Sequence, residues 1–173
     1  MKNDILFNKA HYGDVSILSD PRVSKIRNGA FLTPLHVLAQ RGKTEILKHP
    51  DCSKIKTVSG VTPLHLLAKA KKLEVLNHKD CSIVKNFFGW TALHILANKG
   101  IIEVLNHPDC FNVKDNFEQT PAHFLAVVGV LKYSHLKKFS WYKKKYTYTD
   151  NIFIDELDEI LNTPLSIQYI LGD

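Results

Sequence analysis

Four tetrapeptides divide this chain into equal lengths. Thr33-Pro34-Leu35-His36, Thr62-Pro63-Leu64-His65, Thr91-Ala92-Leu93-His94 and Thr120-Pro121-Ala122-His123 follow one another every 29 residues. Leu38, Leu67, Leu96 and Leu125 keep the register, each followed by an alanine, and so do Cys52, Cys81 and Cys110. A fixed period of this size means one supersecondary unit copied along an axis, each copy burying its apolar face against its neighbours. The chain is therefore expected to be a repeat array, and its function is expected to lie on a surface.

Each unit reads as a pair of helices. A threonine hydroxyl suits the N-cap, where it accepts a bond from an orphan first-turn amide, and Pro34, Pro63 and Pro121 suit the first helical position, where a missing donor costs nothing. Leu35, Leu38 and Ala39 then share one face, and Gly42 falls where a left-handed residue ends a helix; Gly100 and Gly129 repeat it. Lys71 replaces that glycine in the second unit, so a left-handed turn there is expected to be strained. A second, shorter helix should bury Glu45-Ile46-Leu47, Glu74-Val75-Leu76 and Glu103-Val104-Leu105 at its core positions, with Pro50 and Pro108 stopping it by disfavouring helical geometry at the preceding histidine. Turn-like tips follow at Thr57 to Gly60, Asn86 to Gly89 and Asp115 to Glu118.

The Thr-Pro-Leu-His-x-x-Ala run, the glycine three residues after the alanine and the Asn86-x-x-Gly89-Trp90-Thr91 tip resemble the ankyrin-repeat motif over residues 4–135. The period departs from the family's, at 29 against about 33. The shortfall falls after Gly42 and its equivalents, so the outer helix should lack about one turn. The resemblance implies an all-α solenoid of helix pairs with short turn or β-hairpin tips and atypical caps. Residues 1–32 make the N-terminal capping repeat, with Asp4 in the threonine slot, and 33–136 the repeat core. Residues 137–162 form an insertion, basic and aromatic and then acidic, and 163–173, from Thr163, a degenerate capping helix.

Nine histidines and three cysteines raise metal and catalytic readings. The resemblance assigns His36, His65, His94 and His123 to hydrogen bonds with Thr33, Thr62, Thr91 and Thr120 and with loop backbone. His49/Cys52, His78/Cys81 and His107/Cys110 each offer two zinc ligands, whereas a structural site needs four. Equivalent residues of stacked helices lie about 8 to 10 Å apart, too far for a disulfide or a shared metal. No Gly-rich phosphate loop, Gly-x-Ser-x-Gly elbow or supported carboxylate pair occurs. The expectation is a chain that is not an enzyme and needs no cofactor, metal or small-molecule substrate. Neither a signal-peptide run near the start nor a stretch approaching about 20 apolar residues is present, which suggests a cytoplasmic address without membrane contact.

Ankyrin repeats hold protein partners through tip residues and through the end of the inner helix. Carried over, these are Val58 and Ser59, Phe87, Phe88 and Trp90, Phe117 and Gln119 on the tips, with Arg41, Lys69, Asn98 and Lys99 on the helices. The aromatics exceed what a turn needs and suit an interface hot spot, and the basic flank suits an acidic protein partner. Such a module scaffolds, recruits or inhibits its partner; in a pathogen, virus or phage it would act as an effector blocking a host protein. The rival reading is single-stranded nucleic acid held along residues 132–146 by Lys137, Lys138, Lys143, Lys144 and Lys145 with stacking on Trp141. The acids from Asp150 to Glu159 are close enough in sequence to neutralise those lysines, which disfavours it.

Overall fold

A computed structural model of the chain describes residues 2–131; the insertion at 137–162 and the capping helix expected at 163–173 lie outside the described residues. Those described are helical, and no strand occurs among them. The α-helices are α1 (Lys2–His11), α2 (Pro34–Gln40), α3 (Pro63–Lys69), α4 (Ala92–Asn98) and α5 (Pro121–Val127). Short 3-10 helices at Val15–Ser19, Thr44–Lys48, Leu73–Asn77 and Ile102–Asn106 follow the first four. Each α-helix packs against the one before and the one after it in the chain. α1 begins at Lys2, ahead of the Asp4 slot, which therefore lies inside the helix and does not cap it.

The start of α3 shows how a seven-residue helix closes its amides. Thr62 is the N-cap in extended geometry, Pro63 has no N–H, the Leu64 N–H donates to the Cys52 carbonyl at 3.1 Å, and the His65 N–H donates to Thr62 Oγ1 at 3.4 Å. His65 Nδ1 in turn accepts the Thr62 N–H at 3.2 Å, completing a capping box with histidine in the place usually held by glutamate. Leu35 to Val23, Leu93 to Cys81 and Ala122 to Cys110 repeat the carbonyl bond. Every orphan donor of the first turn thus has a partner, which lets so short a helix persist.

At the other end, Gly13, Gly42, Gly100 and Gly129 are all left-handed, and Lys71 holds the same conformation at φ 58°. Around Lys71, its N–H reaches the Ala68 carbonyl and the Lys72 N–H reaches that of Leu67, the paired bonds of a Schellman turn. The turn is thus enforced by its bonds even where the side chain resists it.

The outer segment is shorter than the sequence suggested. In place of a short α-helix there are only five-residue 3-10 segments, burying Ile46, Val75, Val104 and Leu105. Proline is also not what stops them. His78 is as extended (ψ 128°) as His49 (ψ 130°) and His107 (ψ 131°), although Lys79 follows it. What the three share is an Nδ1 that accepts the N–H two residues on, from Asp51, Asp80 and Asp109 at 3.1 Å each.

Bonds of fixed sequence separation then join unit to unit. His36 Nε2 pairs with the Val61 carbonyl at 3.3 Å, His65 with that of Trp90 at 2.9 Å and His94 with that of Gln119 at 3.0 Å, each 25 residues on. Arg27 donates to the Lys56 carbonyl, Lys56 Nζ to that of Lys85 and Lys85 Nζ to that of Lys114, each 29 residues on. Ser53 donates to Asp80 and Ser82 to Asp109, both at 2.6 Å.

Two tests follow from these bonds. Burial pushes the imidazoles of His36, His65 and His94 down from 6.5 to about 4, against the opposing pull of their carbonyl partners. The unfolded chain therefore takes up protons first as pH falls. Stability is unaffected above 6.5 and is lost between 6.5 and 4, by about 1.4 kcal/mol per pH unit for each site. Urea unfolding should show a flat midpoint from pH 8 to 7 and a steep fall toward pH 5, and His65→Gln should remove about a third of that slope; a midpoint that does not change down to pH 5 would contradict the burial of these rings. Lys71→Gly should raise stability by up to about 1 kcal/mol, the left-handed strain relieved exceeding the entropy glycine adds to the unfolded chain; a loss of stability would count against a strained Lys71.

Candidate docking surface

The tips are organised by one short polar side chain in each unit. Asn28 Oδ1 accepts the N–H groups of Ala30 and Leu32, Asn86 Oδ1 those of Phe88 and Trp90, and Asp115 Oδ1 those of Phe117 and Gln119, all within 3.0 Å. Thr57 Oγ1 accepts the Val61 N–H at 3.1 Å in the same role. Such side chains replace backbone partners in a tight turn.

Two tip glycines also let one tip lie on the next. Gly60 is left-handed at φ 78°, and a Cβ there would sit 2.8 Å from the Phe87 ring and 3.0 Å from its backbone nitrogen. Gly89, at φ 80°, is approached more closely still, with the Asn116 backbone nitrogen 2.5 Å from where a Cβ would sit. Across these contacts the Phe87 N–H donates to the Ser59 carbonyl at 3.2 Å, and the Asn116 N–H to that of Phe88 at 3.1 Å. Asn116 Nδ2 adds a bond to the Phe87 carbonyl at 2.8 Å. At the flanking tips Phe31 and Glu118 are left-handed without being glycine.

On this backbone the sequence candidates separate into two groups. Val58 is 67% exposed, Phe87 69%, Phe117 53% and Phe88 45%, with Ser59 exposed beside them. Trp90 and Gln119 are buried, which corrects their assignment to the surface. The indole N–H of Trp90 donates to Asp115 Oδ2 at 3.0 Å, and its ring meets Phe124 edge-on with centroids 5.0 Å apart. Gln119 turns its backbone to Asp115 and His94. Phe88 rests on the Trp90 ring at 6.2 Å, so the exposed aromatic has a packed support beneath it.

Between the tips and α3 runs an open groove of about 580 Å³, lined by Ala30, Leu32, Val58, Val61, Leu66 and Phe87 with Thr57 and Ser59. Its lining is chiefly apolar side chain. Arg41, Lys69 and Lys99 are exposed at the ends of α2, α3 and α4, and Asn98 is half-buried. Arg41 approaches His11 Nδ1 at 3.4 Å. Lys137, Lys138, Trp141, Lys143, Lys144 and Lys145, the nucleic-acid candidates, lie outside the described residues.

The three cysteines are buried thiols. Cys81 Sγ lies 3.3 Å from Nε2 of His107, in the following unit, while its own N–H donates to the His78 carbonyl at 2.9 Å. Burial pushes the Cys52 and Cys110 thiols up to about 12 and that of Cys81 to about 11. Val23, also fully buried, holds the corresponding place in the first unit. A site that valine fills equally well asks for a small apolar group. Among the described residues no cluster of three or more His, Cys, Asp or Glu side chains is placed to hold a metal ion, and no helix is long and apolar enough to cross a membrane.

The division between support and surface can be measured by urea unfolding. Trp90→Ala should cost about 3 to 5 kcal/mol, since it opens a cavity over Phe124 and leaves Asp115 Oδ2 without its donor. Phe87→Ala should stay within about 0.5 kcal/mol. Equal losses for the two would mean that the Phe87 ring belongs to the core.

None of the protein-family models matches the chain, and no curated protein sequence matches it.

Proposed function

We propose that this chain is an ankyrin-type repeat solenoid that binds another protein through its tips and the adjoining ends of its inner helices, and that it performs no chemistry of its own. The observation that carries this reading is the row of exposed apolar side chains at Val58, Phe87, Phe88 and Phe117 on turns fixed by hydrogen bonds. Isolated exposed apolar residues need no explanation, but several large ones in register beside a groove do. Their backbone is already held, so little is lost in ordering it when a partner docks.

Affinity capture with the wild-type chain beside Phe87→Ala/Phe88→Ala tests this. The double variant keeps Trp90 and should remain folded. A specific protein should be retained by the wild type and lost, or held at least about 1 kcal/mol more weakly, by the variant, because truncated hot-spot aromatics cost that much or more. Identical retention by both would remove the tips from the interface. Salt-sensitive capture of single-stranded nucleic acid in place of protein would move the function elsewhere on the chain.

A further inference from the structure

We propose that the groove selects a linear segment of the partner in which a bulky apolar side chain is flanked by carboxylates. The inference rests on the docking function proposed above and specifies the chemistry of what docks.

Charge is divided unevenly between the two sides of the repeat. The segments that build tips and inner helices, residues 27–42, 56–71, 85–100 and 114–129, contain eight Lys or Arg and two Asp or Glu. The intervening outer segments, 43–55, 72–84 and 101–113, contain five and six. Both acids of the first set are already engaged, Asp115 buried beneath Trp90 and Glu118 paired with Lys114 at 2.7 Å. The tip and α-helix segments that carry the groove are therefore net positive, and the intervening segments are close to neutral.

The placement of the cations matches the groove. Leu66 lies in its wall, and Lys69 follows three residues later on the same helical face, so the apolar wall runs into an ammonium group. Arg41 and Lys99 stand at the corresponding ends of α2 and α4. No acid among the described residues lies within ion-pair distance of Lys69 or Lys99. An apolar side chain from the partner would displace water from the groove, and carboxylates on either side of it would meet these cations at the rim. Rim charges of this kind speed encounter and reject wrongly charged partners more than they add affinity. A basic or uncharged segment would fill the same groove without that discrimination.

The test is selection from a random peptide library displayed on phage, with the full chain as bait, followed by binding of resynthesised peptides to three forms of the protein. The enriched peptides should combine an aromatic or large aliphatic residue with neighbouring Asp or Glu. Phe87→Ala should weaken a selected peptide by about fivefold or more. Lys69→Glu/Lys99→Glu should weaken it by about tenfold or more and diminish the loss of affinity on added salt. Should the reversal variant fail to fold, Lys69→Gln/Lys99→Gln should show the same direction with a smaller loss. Enrichment of acid-free peptides that still depend on Phe87 would overturn this proposal and leave the docking function standing. Peptides indifferent to Phe87→Ala, or no enrichment at all, would overturn both. Displacement of a selected peptide by single-stranded polyuridylate, unaffected by Phe87→Ala, would assign the cations to nucleic acid.

Discussion

In three of the units one neutral imidazole, that of His36, His65 or His94, closes two gaps. Its Nδ1 accepts the backbone N–H of the capping threonine, and its Nε2–H donates to a carbonyl in the next tip, as His65 does to Thr62 and Trp90. The two bonds require one tautomer, and burial keeps the ring uncharged so that the tautomer persists. Without the first bond a seven-residue helix would leave an amide unpartnered at its start; without the second the next tip would lack a donor from below. Glutamate in the same slot would serve the cap but has no N–H to pass on.

The tips inherit their form from that contact. The carbonyls that receive the histidines belong to Val61, Trp90 and Gln119, and the polar side chains of Thr57, Asn86 and Asp115 hold the amides of the same three residues. Each tip is thus fixed from both sides of its last residue. The side chains in the middle of the turn have no such duty, and those are the positions at which Val58, Phe87, Phe88 and Phe117 stand outward. Support and display are separated by two or three residues of chain.

Much of this was legible in the sequence, and the failures have physical reasons. The threonine caps, the proline starts and the left-handed ends follow from local chemistry, including the strained Lys71. Tip residues were harder to separate. Phe88 and Trp90 flank a left-handed glycine that turns the chain between them, so two aromatics of similar character take opposite fates, and only the buried carboxylate of Asp115 marks the second as internal. The Cys81 contact was not legible in the sequence, because its Sγ meets Nε2 of His107, 26 residues on, across the join between units. Pro50 and Pro108 looked like stops, while the true signal was the histidine common to all three units. A period of 29 residues leaves room for a short 3-10 segment where a second helix was expected.

Ladders of constant separation have a counting property. The bonds between units join residues 25, 27 or 29 apart, according to type, and Arg27, Lys56 and Lys85, or His36, His65 and His94, supply the same kind of bond in successive units. Removing one whole period therefore returns every partner to its place, with Lys56 facing the carbonyl that formerly served Lys85. Removing any other number of residues shifts out of register the bonds that span the deletion. A change of length by one whole unit would alter how many tips the chain presents while the bonds between the remaining units keep their separations.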